Sequence, residues 1–168
     1  MRILGMLIGA IIAAVIAAPG FAQGAFVPFG GITHDNLLPI EISADSLSIS
    51  QADSSAEFLG NVQVGQGSLK ISADRIFVKY AASQGEATGQ IQTIEATGNV
   101  LFTNGAEAAE GQTAVYDVAT GIVKMTGDVI LTQGMNALSG ESLTIDLTAG
   151  TALVGGRVQT IFQPGKNP

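Results

Sequence analysis

The feature that most limits what this chain can become is a strand-like phrase that returns four times at nearly constant spacing. It is clearest from Val123 to Leu131, Val-Lys-Met-Thr-Gly-Asp-Val-Ile-Leu. There the odd positions are apolar or glycine and the even ones, Ile130 excepted, are polar. Period-two alternation marks a strand with one dry and one wet face. Gly60-Asn61-Val62, Gly98-Asn99-Val100 and Gly156-Arg157-Val158 match the central Gly127-Asp128-Val129, with the glycines 38, 29 and 29 residues apart. A second phrase interleaves with the first: Ile42-Ser43-Ala44-Asp45, Ile71-Ser72-Ala73-Asp74, Ala109-Glu110-Gly111-Gln112 and Leu138-Ser139-Gly140-Glu141, spaced 29, 38 and 29 residues apart. Both series place one nine-residue insertion between Ala81 and Ile91. Two phrases with the same period and the same insertion identify a repeat protein.

Within the second phrase the apolar parity shifts by an odd number. Ile42 and Ala44 give way to Leu47 and Ile49, Ile71 and Ala73 to Ile76 and Val78, and Leu138 and Gly140 to Leu143 and Ile145. An odd offset turns the dry face over unless the backbone bulges or bends. Bends are therefore expected at Asp45-Ser46, Asp74-Arg75, Gln112-Thr113 and Glu141-Ser142, where short polar side chains can bond the local backbone. The Gly-Asn/Asp/Arg-Val glycines fall in the dry stripe. There they either kink the sheet or leave room for a trough along the interior. Glycine-containing turns and Val/Ile/Thr-rich runs from Ile40 onward predict an all-β domain of roughly ten to fourteen strands, with no helical period after the N-terminal segment.

That segment, Met1-Arg2 followed by apolar residues from Ile3 to Ala18 and then Pro19-Gly20-Phe21-Ala22, reads as a secretory signal peptide cut after Ala22. The alternative, an uncleaved anchor, is disfavoured because the run falls short of the roughly 20 residues a spanning helix needs. The expected organisation is signal peptide 1–22, flexible leader 23–38, β domain 39–163 and tail 164–168. The net charge of −7 becomes −8 without Arg2, and a chain this acidic lacks the basic footprint nucleic acid requires. An exported chain with no cysteine must be held by its core or by its neighbours in an assembly.

No catalytic set is visible, and neither an enzyme nor a cofactor is expected. The single histidine, His34, sits in the leader with no companion to share a metal. Asp45, Asp74 and Glu141 recur at one repeat position, but the fourth copy has Gln112, so a corner role is preferred to a calcium ladder. Lys70, Arg75 and Lys79 form the one basic cluster, read as solvated side chains.

Ile-Ser-Ala-Asp near the start of the β domain leads into Phe58-Leu59-Gly60-Asn61-Val62 and a second Ile71-Ser72-Ala73-Asp74. Together with Gly127-Asp128-Val129-Ile130-Leu131-Thr132-Gln133-Gly134 and the closing Gly155-Gly156-Arg157-Val158, this ordered set closely resembles the LptA/OstA-like family over residues 39 to 163. The resemblance implies a twisted, V-shaped, open antiparallel β jelly roll in the periplasm of a Gram-negative bacterium. It implies an interior that takes the acyl chains of lipid A and end-to-end stacking of such domains. It also implies an inner-membrane partner of the same fold at one end and the periplasmic domain of the outer-membrane translocon at the other. The candidate lipid-lining residues are Ile49, Val62, Ile76, Val78, Phe102, Tyr116, Met125, Val129 and Ile145. The competing expectation is a small outer-membrane β-barrel, or a purely structural β-repeat protein, since alternation and a signal peptide suit these as well.

Overall fold

The computed structural model describes residues 25–29, 35, 37–83 and 86–161, and among these every regular element is a strand. The expected signal peptide 1–22, His34 and the tail 164–168 lie outside the described residues. The strands are β1 (Ala25–Pro28), β2 (Glu41–Ser43), β3 (Ser46–Ser50), β4 (Ser55–Gln66), β5 (Leu69–Ser83), β6 (Glu86–Asn104), β7 (Glu107–Asp117), β8 (Ile122–Gln133), β9 (Asn136–Asp146), β10 (Thr151–Gly155) and β11 (Gln159–Ile161). They form one open antiparallel sheet in the order β1-β10-β9-β8-β7-β6-β5-β4-β2, with β3 also on β4 and β11 also on β9. Eleven strands fall within the range read from the turn signals.

The leader is corrected in one respect. Ala25–Pro28, placed in a flexible segment by its glycines and prolines, pairs with β10 through four consecutive residues. The cause is apolar content: Val27 packs on the core and Phe29 is buried within it.

Each pairing between consecutive strands from β4 to β9 breaks register at one line, at Leu59/Val62, Ser72/Arg75, Thr97/Val100, Glu110/Thr113 and Thr126/Val129, and β5 with β6 shifts again at Lys79/Tyr80 and Tyr80/Ala82. The breaks along that line are the bends expected from the odd parity offset. They fold the sheet along a line into two leaves. One leaf carries β2, β11 and the strand halves around Val64, Ile71, Phe102 and Leu131. The other carries β1, β3, β10 and the halves around Ile76, Ile94, Met125 and Ile145.

The glycine phrase forms the other half of the same corner. Gly60, Gly98 and Gly127 have φ of 80°, 81° and 88°, and the following Asn61, Asn99 and Asp128 are also left-handed, at 46°, 46° and 51°. Asparagine and aspartate are the side chains that tolerate this region best. The glycines therefore leave the dry stripe to make the bend. A Cβ at Gly60 or Gly98 would lie 2.5 Å from Oδ2 of Asp45 or Asp74, so the space that looked like an interior trough is filled by the corner's own carboxylates. Asn61 and Asn99 donate through Nδ2 to those same oxygens at 2.8 Å. The inserted residues lengthen the β5–β6 hairpin, which continues as a two-stranded arm through Tyr80↔Ile91 to Ser83↔Glu86, past the ends of β4 and β7.

Replacing Gly98 by alanine both strains a φ of 81° and drives a methyl into Asp74. Urea unfolding should show a loss of about 1–3 kcal/mol, the usual cost of such backbone strain.

Candidate interior lipid site

The two leaves meet over a single apolar interior, built from rows of directly paired residues. In one leaf a row runs Ile49–Ala56–Val78–Ile94–Tyr116–Val123–Ile145–Ala152–Val27 from β3 across to β1. Four of the candidate lining residues, Ile49, Val78, Tyr116 and Ile145, lie on it. The neighbouring row brings in Ile76 and Met125. The facing leaf supplies Phe102, in register with Ile71 and Ala109, and sets Val62 and Val129 opposite the small Ala73 and Gly140. Paired residues project to the same side, so the geometry brings all nine candidates to the inner face. Eight of them are buried.

Ile49 is the exception: it is 67% exposed. Its parity is inward, but β3 is the last strand at its end of the sheet, and no neighbour covers it. Leu47, two residues earlier on the same strand, is 54% exposed for the same reason. The apolar interior therefore continues to the sheet end and stops there uncovered.

Two interior residues escaped the sequence reading. Phe29 is 1% exposed and its ring lies 6.0 Å from that of Phe102, so it ties the N-terminal strand to the opposite leaf. Gln66 lies at the end of β4 and reaches inward, where its Nε2 donates to the carbonyl of Leu38 at 3.0 Å. Alternation with a buried glutamine at its end gives no cue to either role.

Outside the interior the chemistry is ordinary. Arg75 pairs with Glu57 and lies over the Phe77 ring, so the basic cluster is partly committed to its own strands. Arg157 and Glu141 approach to 3.6 Å on an open surface, where such pairs contribute little. Among the described residues no group of three or more histidine, cysteine, aspartate or glutamate side chains is placed to hold a metal. A groove of about 390 Å³ along the corner is bordered by Asn99, Glu110, Gln112 and Asp128 together with Leu101 and Ile130, a mixed polar and apolar lining. An apolar face turned to a buried interior is the reverse of a transmembrane barrel, whose lipid-facing wall is its exterior.

Tyr116 is the polar group set deepest among the candidates. Its hydroxyl donates to Oε1 of Gln66 at 3.0 Å, a bond between the two leaves. Burial, with a smaller contribution from the charge of Asp117, pushes the phenol up from 10.0 to about 12. Asp117 itself is held below the usual carboxylate range by the Thr120 N–H. Since the folded state holds the phenolic proton more tightly than the unfolded chain does, the associated stability is complete below pH 10 and is lost as pH rises towards about 12. Denaturant titrations should show Tyr116→Phe about 1 kcal/mol less stable at pH 7, the worth of one such hydrogen bond. The fall in stability of the parent between pH 9 and 12 should be shallower in the variant.

Comparison with known proteins places this geometry. Residues 41–151 match the family described as LptA/(LptD N-terminal domain) LPS transport protein. A curated relative, the uncharacterized protein R00383 of Rhizobium meliloti (strain 1021), is 31% identical over 109 residues, which is 63% of this chain and 59% of that protein. The chain thus spans less than two thirds of that relative's length. In three dimensions the fold is similar to the crystal structure of LptH, the LptA homologous periplasmic component of the conserved lipopolysaccharide transport device from Pseudomonas aeruginosa. The TM-score is 0.68 at 21% identity, over 78% of this chain and 99% of that one. The structural likeness speaks for the fold, and the sequence match takes in the strands from β2 to β9, which contribute to both leaves. By that match the chain belongs to the LptA/(LptD N-terminal domain) family of LPS transport proteins.

Proposed function

We propose that this chain is a non-enzymatic periplasmic carrier that holds the acyl chains of lipopolysaccharide between its two leaves. In this reading it bridges inner- and outer-membrane transport complexes by strand pairing at the two ends of its sheet. The observation that carries the proposal is the apolar row that crosses the whole sheet and ends uncovered at Leu47 and Ile49. An interior closed at both ends would be only a core; one that runs out at an edge can be continued by a neighbour.

Acyl chains would enter by parting the leaves. Burial of an aliphatic side chain against lipid is worth about as much as burial against protein, roughly 1.5–3 kcal/mol for a fully covered valine, leucine or isoleucine. Hydrocarbon can thus replace contacts across the interior at small net cost. The directional contacts between the leaves include Tyr116 to Gln66, Phe29 to Phe102 and Gln133 to the carbonyl of Pro28. The unpaired outer sides of β2 and β3 at one end of the sheet, and of β11 at the other, offer backbone donors and acceptors for pairing with an inner-membrane partner of the same fold and with the translocon's periplasmic domain.

Photo-reactive residues at Phe102, inside, and Lys124, outside, test the interior. Lipopolysaccharide should label from Phe102 and not from Lys124. Equal labelling at the two positions would overturn the assignment.

A further inference from the structure

We propose that β1 is a self-donated cap on β10, displaced when β3 of a second copy of this chain takes its place. The inference rests on the end-to-end pairing proposed above and adds the step that regulates it.

The two ends of the sheet are not equivalent. At one end β3, Ser46-Leu47-Ser48-Ile49-Ser50, has no charge and no proline and, among the described residues, no strand on its outer side. At the other end β11 is likewise bare, but β10 is covered by β1. The cover is four residues long and finishes in Pro28, which lacks the N–H a further strand would need. A short edge strand ending in proline is a common way to stop a sheet from growing. Here it stops one leaf only.

β3 fits the place that β1 occupies. Every pairing in the sheet is antiparallel, so strand directions alternate across it, and β1 and β3 run the same way. A second copy stacked by translation along the sheet therefore presents β3 antiparallel to β10, and by the same count β2 antiparallel to β11. The alternation agrees as well. β1 turns Ala25 and Val27 inward, opposite Val154 and Ala152, and leaves Phe26 outside opposite Leu153, 76% exposed. β3 would turn Leu47 and Ile49 inward and serines outward. Exchange covers two large side chains that are now bare and replaces an exposed phenylalanine by serine.

What keeps the cap in place is Phe29. It is buried against Phe102, and its N–H donates to the carbonyl of Gly150 at 2.8 Å. Gln133 adds a bond from Nε2 to the carbonyl of Pro28. The same N-terminal segment thus fills part of the interior and blocks one assembly edge, so release of one frees the other.

The chain has no cysteine, which permits a direct test. Phe26→Cys with Leu153→Cys places two thiols opposite each other on the outer face, to be joined by oxidation or by a short bis-thiol reagent. In sedimentation velocity over a concentration series, the unbridged protein should form chains of copies and the bridged protein should remain monomeric, with reduction restoring assembly. Phe29→Ala should lower the concentration at which assembly begins by about tenfold, because more of the population has its edge free. Assembly of the bridged protein at the same concentrations as the unbridged one would overturn the cap, as would failure of the unbridged protein to assemble at any concentration. If Phe29→Ala does not fold, as judged by circular dichroism, the bridge decides alone. Lipopolysaccharide labelling from Phe102 in the same samples separates the two proposals. Blocked assembly with no labelling in either form removes the carrier and leaves the cap; normal labelling with unblocked assembly removes only the cap.

Discussion

Everything in this fold depends on a corner that lets one strand serve two leaves. A strand that crosses from one leaf to the other must turn its side chains over, and an even-period backbone cannot do that without an extra residue. The chain supplies it in β4, β6 and β8 with a left-handed glycine followed by a left-handed asparagine or aspartate. A carboxylate, of Asp45 between β2 and β3 or of Asp74 on β5, accepts from the asparagine in two of the copies. The acid at that repeat position therefore serves geometry, and its replacement by Gln112 in the third copy keeps a polar side chain packed against the glycine. Because the corner recurs with the period of the sequence, the leaves stay in phase along the whole sheet and enclose one interior.

In the proposed reading that interior has two uses that do not compete. As a core it removes some two dozen apolar side chains from water, the main source of stability for a chain without disulfides. As a lining it consists of the same side chains, because the hydrophobic effect is non-directional and does not distinguish a facing leaf from a fatty chain. Directional contacts across it include the buried bond from Tyr116 to Gln66, that from Gln66 to Leu38, and that from Gln133 to Pro28.

Much of this was legible from residues alone, for identifiable reasons. Parity counting placed the bends correctly because Ile71-to-Ile76 and Leu138-to-Leu143 are odd steps, and backbone geometry allows few ways to absorb one. It misplaced the glycines, because a residue without a side chain cannot show which face it belongs to and a left-handed pair breaks the count it would be read by. Ile49 was given the right face and the wrong environment: alternation reports which way a side chain turns, but not whether its strand has a neighbour. Phe29 was missed since a four-residue edge strand ending in proline carries too little pattern to be told from a loop, and its burial is decided by Phe102, far away in sequence.

The arm built from the insertion has a consequence for how the molecule breathes. Beyond Lys79 and Thr93 only β5 and β6 pair with each other, and a lone ribbon of two strands is marginally stable in water. Amide protons there exchange through local fraying, whereas those between the two leaves exchange only when the corner itself gives way. The nine-residue surplus that marks the sequence thus becomes a two-stranded extension of a stiffer body. It is the first place where a protease would find an opening and the last to report on global unfolding.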